Sequence, residues 1–326
     1  MKRLKLAAAG LAAALLLAGC GGAPLSGPAA TGSATAGGDG VRTISVGVIS
    51  IAPSAAVQLG IDEGIFAKHN LKVELQSGQG GAAMLPAVST GTMNFSVGNP
   101  LSVLLAKSKG LDMKIVSGYS HSLATGSDIN GVVAKAASGI DSAKALAGKK
   151  VAVNTINAQG DLTIKEVVSK QGGDANAVEF LELPFQDMGA QLEKGNVDAV
   201  WVPEPFLSKL LAEGNKLVTY NNQEALPGLP TMVTFTSGTY AEQNPQVVSD
   251  FRAAMTETLT FAQANPDKVR TLLPAFMKMP EAVAKGLRLE AFDGKIDEGT
   301  LDELGQLMEK FGIVPSAPDV PGTILK

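Results

Sequence analysis

"GNVDAVWVPEPF", residues 195–206, ends one element and begins another: a glycine turn, the apolar run "DAVWV" (198–202), then Glu204 between Pro203 and Pro205. The run reads as a buried strand bounded by turn residues, and Gly195 as the left-handed cap that ends a preceding helix. The same wording stands earlier in the chain, as Gly91-Thr92-Met93-Asn94 leading into the strand "NFSV" (94–97). Each is the last strand of a longer series. In the first series "ISVGVI" (44–49) predicts a strand, 54–68 a helix, "LKVEL" (71–75) a strand and 81–90 a helix. In the second, "KVAV" (150–153), a helix over 160–171, "VEFLEL" (178–183) and a helix over 187–194 follow the same order. The spacings agree as well: Val46 to Val73 is 27 residues and Ala152 to Phe180 is 28, while Val73 to Phe95 is 22 and Phe180 to Ala199 is 19. Alternating strands and helices are the pattern of an α/β fold with mainly parallel sheets. Any doubly wound sheet gives comparable spacings, but the repeated wording favours two similar α/β lobes.

The beginning of the chain sets its address. "MKRLKLAAAGLAAALLLAGC" places Lys2, Arg3 and Lys5 before an apolar run from Leu6 to Leu17, then small residues up to Cys20. That order is a secretory leader, and the apolar run is too short for a permanent anchor. Leu17-Ala18-Gly19-Cys20 resembles a bacterial lipobox, which predicts a signal peptide over 1–19 and acylation of Cys20. Cys20 is the only cysteine, so no intramolecular disulfide can form, and lipidation accounts for an odd thiol in an exported protein. Residues 20–40 are almost entirely Gly, Ala, Pro, Ser and Thr and read as a flexible tether reaching about 25 Å. Without the three basic residues of the leader, 24 basic residues face 31 acidic ones, a net charge of −7. Nucleic acid is thereby excluded as a partner, because binding it needs a basic footprint.

In open α/β sheets ligands collect at the carboxyl ends of the strands. That rule nominates "SIAPSA" (50–55, with Ser50, Pro53 and Ser54), "QSGQGG" (76–81, with Ser77), and "GNP" (98–100, with Asn99) in the first series. In the second it nominates "NTINAQG" (154–160, with Asn154, Thr155, Asn157 and Gln159), "PFQD" (184–187) and "WVPEP" (201–205). These loops carry neutral hydrogen-bonding side chains and glycines that open backbone N–H groups, and helix N-termini add partial positive charge. They suit a small polar or anionic solute. The five arginines, Arg3, Arg42, Arg252, Arg270 and Arg288, all lie outside them, which argues against a guanidinium clamp. Tyr119 and His121 occur where the chain should pass between lobes; His121 is either a donor near the cleft or an ordinary surface histidine. Trp201 is either a ring for stacking a ligand or an inward-facing core residue. Glu204 is a catalytic acid, a ligand contact or a corner of the fold.

Catalysis finds little support. His69 and His121 are the only histidines, so no metal-ligand cluster and no nucleophile motif is legible. Gly78-Gln79-Gly80-Gly81-Ala82-Ala83 matches a dinucleotide fingerprint, but the acidic residue expected about twenty positions on is absent and the next is Asp112. Asp187 reads as a helix N-cap rather than a catalytic partner for Glu204. No cofactor is expected.

"GQGGAAMLPAVSTGTMNFSVGNP", "ASGIDSAKALAGKKVAVNT" and "KGNVDAVWVPEPF", with the lipobox and tether, resemble the substrate-binding lipoproteins of ABC importers. The group concerned is the nitrate/sulfonate/taurine group, which also includes binders of thiamine pyrimidine precursors. The resemblance covers about residues 43–270. It implies a two-lobed type II periplasmic-binding-protein fold, with one lobe from 41–121 plus 228–326 and the other from 122–227, joined by crossings near 119–131 and 221–233. It implies Ser77, Gly80 and Gly81 at a ligand-facing helix start, Asn99 in the next loop, Thr155, Asn157 and Ala158 in the second lobe, and Glu204 at the cleft edge. It further implies a monomer anchored outside the cytoplasmic membrane that delivers a solute to an ABC permease and its ATPase. Relatives often show a Ser/Thr-rich turn after "KKVAV", whereas "NTINAQGD" here offers amides, so the solute stays open. Two other readings are an enzyme on the same fold acting on a pyrimidine-type substrate, and a lipoprotein sensor without a transport role. A yeast pyrimidine-synthase branch relies on histidine and cysteine, and the body here has no cysteine.

Overall fold

The computed structural model describes Thr35–Ala36 and residues 40–326; the leader, Cys20 and most of the tether lie outside the described residues. The described residues pack as one unit around two sheets. The first sheet holds β1 (Thr35–Ala36), β2 (Arg42–Ile49), β3 (Leu71–Gly78), β4 (Phe95–Gly98) and β5 (Met113–His121). The chain then builds the second sheet from β6 (Asn130–Ala134), β7 (Lys150–Val153), β8 (Glu179–Glu182), β9 (Ala199–Pro203) and β10 (Lys216–Thr219). It returns to the first sheet as β11 (Pro230–Ser237) and, after a run of helices, β12 (Ala291–Phe292).

The repeated series has one topology in both places. In the first sheet β2 lies between β3 and β4, parallel to both; in the second β7 lies between β8 and β9, again parallel to both. The registers pair Val46 with Phe95, and Val151 with both Phe180 and Ala199. In each sheet the next strand runs antiparallel and comes from a crossing segment: β11 beside β4, and β6 beside β9. The sheets are therefore mixed. Their parallel part is the repeated series, and the antiparallel strands arise because the chain crosses between sheets twice, which local periodicity does not reveal.

Helices fill the faces. Gly81–Ser89, Gln159–Lys170 and Phe185–Lys194 form close to their expected limits. The expected helix over 54–68 instead divides into Ala55–Asp62 and Ile65–Lys68, because Gly64 takes φ 70°, a left-handed conformation that ends the first segment. Gly91 and Gly195 stand at φ 76° and 74°, as their helix-ending role requires. Asp187 lies in the first turn of its helix, whose cap is Pro184. Behind the first sheet Phe95 stacks on Phe251 of the long helix Pro245–Ala264, with ring centroids 3.8 Å apart.

Candidate functional site

The carboxyl ends of the two parallel series face each other. A Cβ placed on Gly80 would lie 3.0 Å from Asn154 Nδ2 and 3.4 Å from Thr155 Oγ1, so the two loops meet closely and a larger side chain there would push these two aside. Asn154 Nδ2 donates across this gap to the Gln79 carbonyl at 3.5 Å. Ser50 and Ser77 line an outer cleft of about 1180 Å³, walled on one side by Ile49 and Gly78 and on the other by Phe185, Phe206 and the segment Phe276–Val283.

Deeper lies an inner chamber of about 40 Å³, lined by groups from both sheets, among them Asn99, Asn130, Asn154, Gln159, Trp201 and Glu290. Asn99 reaches it while its Oδ1 accepts from Ser102 N–H at 2.9 Å, capping the helix Pro100–Ser108. Trp201 is 8% exposed; its ring packs on Phe185 at 5.8 Å between centroids and lies over Gly160, where a Cβ would come within 2.5 Å of it. Trp201 Nε1, Gln159 Oε1 and Glu290 Oε2 are buried without a hydrogen-bond partner within the protein. Buried polar atoms are nearly always paired, and three orphans around one chamber point to a partner that comes from outside.

Glu290 arrives there through a two-residue strand. β12 pairs antiparallel with β5, setting Ala291 against His121 and Phe292 against Ser120, so the preceding glutamate falls where β5 leaves the first sheet, β11 re-enters it and β6 begins the second. Ser120, Thr231 and Asn130 surround the carboxyl with polar groups that favour its charged form, while Ser120 Oγ and Thr231 Oγ1 share a hydrogen bond at 2.9 Å. Burial nevertheless pushes Glu290 up to about 7, and the nearby Asp128 charge pushes the same way.

The sequence candidates divide into those that meet at the cleft and those that do not. Ser50, Ser77, Gly80, Asn99, Thr155 and Trp201 gather around it. Gly81 instead allows close packing of its helix on β4, since a Cβ there would lie 2.9 Å from Gly98 Cα. The N–H groups of Asn157 and Ala158 both donate to the Asp161 carboxylate, at 2.9 and 2.8 Å. Ser54 is fully buried. Tyr119 is also buried and donates its hydroxyl to the Pro53 carbonyl at 2.7 Å. His121 lines a separate cavity of about 390 Å³ together with Asp293, Lys295 and Asp297.

Glu204 is 1% exposed and lines neither part of the cleft. Its Oε1 accepts from Ser208 Oγ at 2.7 Å and its Oε2 from Ser208 N–H at 3.0 Å, closing the start of the helix Phe206–Ala212. Arg288 Nη2 stands 3.8 Å from Oε1. Burial raises its pKa against the Ser208 bonds and the Arg288 charge. Its carbonyl accepts from Ala52 N–H at 3.3 Å, tying the corner of the second sheet to the first. The contributions of Asn130, Thr231 and Glu290 have no local signature in the sequence: Glu290 sits in "RLEAF" (288–292), far from every repeated loop.

Two sheets of matching topology, joined by two crossings and enclosing a polar chamber at their carboxyl ends, define the periplasmic-binding-protein fold. The solved structures agree. The alkanesulfonate-binding protein of Xanthomonas axonopodis pv. citri, bound to MOPS, superposes with a TM-score of 0.74 at 17% identity, covering 87% of this chain and 98% of that one. The periplasmic nitrate-binding protein of Synechocystis PCC 6803 gives 0.69 at 15% identity, over 86% and 84% of the two chains. The chain belongs to the NMT1/THI5-like family, whose model matches residues 53–269. A Bacillus subtilis protein named for aliphatic sulfonates is 26% identical over 283 residues, 85% of this chain and 80% of that protein. The formylaminopyrimidine-binding protein of Halalkalibacterium halodurans is 25% identical over 219 residues, 66% of this chain and 64% of that one.

Proposed function

We propose that this protein is the solute-binding component of an ABC importer, capturing one small solute between two lobes and presenting it to a permease and its ATPase. The supporting observation is the inner chamber with its three unpartnered buried polar atoms, contributed by both sheets. The lobes would be 41–121 plus 228–326 and 122–227, rotating about the crossings; contacts available only when both lobes meet, such as Gly80 against Asn154, shift the equilibrium toward closure. A micromolar dissociation constant corresponds to about −8 kcal/mol in total. The relatives named for sulfonates and formylaminopyrimidine support a polar or anionic solute of that size.

No turnover is assigned. Glu204 is held by Ser208 and Asp161 by two backbone N–H groups, so neither carboxylate faces the chamber as a free base. Export, the lipid anchor at Cys20 and a monomeric state complete the reading. The test is thermal unfolding of the 41–326 body against a panel of sulfonates, nitrate, amines and pyrimidine heterocycles. One of them should raise the midpoint in a saturable manner with one molecule per chain. No shift across the panel would refute the role.

A further inference from the structure

The cleft has two chemically distinct parts that share Ile49 and Phe185 as lining residues. Among the described residues that line the inner chamber, Glu290 is the one ionisable side chain, and it is fully charged only above about pH 7; the rest are amides, a threonine, the Trp201 indole and apolar groups. Two of the three orphaned atoms there, Glu290 Oε2 and Gln159 Oε1, are acceptors, and the third, Trp201 Nε1, is a donor. Both acceptor side chains are at least nine-tenths buried. An anionic group in this chamber would meet a carboxylate, with Asp128 of the same sign bearing on that site. A group rich in N–H would instead satisfy both acceptors and supply the missing opposite charge.

At about 40 Å³ the chamber accepts only the end of a molecule, and the rest must extend into the outer cleft of about 1180 Å³. That outer cleft offers Phe185, Phe206, Phe276, Met277, Met279 and Val283, the last of these 45% exposed. Its cations, Lys209 and Lys278, are exposed to solvent at the rim, and Lys209 lies 3.9 Å from Glu213. They are therefore weak determinants of an anion compared with a buried charge.

We infer that the solute is an amphipathic cation, such as an arylalkyl amine or aryl amidine, with its N–H-bearing head against Glu290 and Gln159 and its apolar body against Phe185, Phe206 and Phe276. This rests on the solute-binding reading, keeps its polar solute and replaces the anionic option with a cationic one. The test uses two probes of one shape and opposite charge, benzamidine and benzenesulfonate, titrated calorimetrically into the wild-type 41–326 body and its variants at pH 8. Benzamidine should bind one per chain and benzenesulfonate at least tenfold more weakly. Glu290→Gln should weaken benzamidine at least tenfold with the circular dichroism spectrum unchanged, and Phe276→Ala should weaken it by a smaller factor. Gln159→Ala gives a second reading of the head-group contact if Glu290→Gln does not fold. Equal or tighter binding of benzenesulfonate, or full benzamidine affinity in Glu290→Gln, overturns the inference. So does the absence of benzamidine binding. If another member of the solute panel then binds one to one, the solute-binding reading stands alone; if none binds, both fall.

Discussion

Replacing Glu290 by Gln should stabilise the empty protein, and the gain should depend on pH in a defined way. In the unfolded chain this carboxyl ionises near 4.5, whereas burial holds it protonated in the folded protein up to about 7. Between those values the folded protein keeps a proton that the unfolded chain has lost. The folded state is thus penalised progressively as pH rises through the window, with no penalty below 4.5 and the full penalty above 7. At about 1.4 kcal/mol per pH unit the full penalty is about 3 kcal/mol. Glutamine preserves the shape and an acceptor for Ser120 and Thr231 but carries no charge. At pH 8 Glu290→Gln should therefore be more stable than wild type by up to about 3 kcal/mol, a midpoint shift of about 6 °C for a chain of this size. At pH 4 the two should coincide. Asp128, His121 and Arg288 lie in the same region, but both proteins share them, so urea unfolding of the pair across pH 4–8 isolates Glu290. A constant difference between the two proteins at every pH would refute the reasoning.

Other substitutions separate the cleft from its supports. Gly80→Leu places a side chain where Asn154 and Thr155 now meet; solute affinity should drop at least tenfold by calorimetry, with stability within about 1 kcal/mol of wild type. Glu204→Ala removes the acceptor for Ser208 N–H and Oγ and should cost about 1–2 kcal/mol in urea unfolding. A loss of binding without that loss of stability would make Glu204 a ligand contact. Trp201 is the only tryptophan, so its fluorescence reports directly on the chamber. Emission should change on solute binding, and Gly160→Ala, which drives a Cβ into the indole, should shift it in the empty protein.

The parallel cores of both sheets are legible in the sequence because they are local: short apolar runs at recurring intervals, ended by Gly91 and Gly195 in left-handed turns. The antiparallel strands β6 and β11 depend on where the chain crosses between sheets, and β12 has two residues, too few for any periodicity. The cleft follows the same division. Asn99, Thr155 and Trp201 reach it from the repeated loops, as the carboxyl-end rule expects. Asn157 and Ala158 come from such a loop too, yet Asp161 takes their N–H groups, a competition that loop composition does not show. Glu290 and Phe276 come from the C-terminal region: Glu290 is set by the pairing of β12 with β5, and Phe276 reaches the cleft from the helix Pro266–Met277, both by long-range packing.

The central claim is that one small solute occupies the chamber between the sheets, and native mass spectrometry of the gently purified 41–326 body tests it most directly. The expected spectrum shows a population heavier than the bare chain by the mass of one small molecule, reduced in Trp201→Ala and Gly80→Leu. A bare mass in every preparation, unchanged after incubation with the whole solute panel, would contradict it.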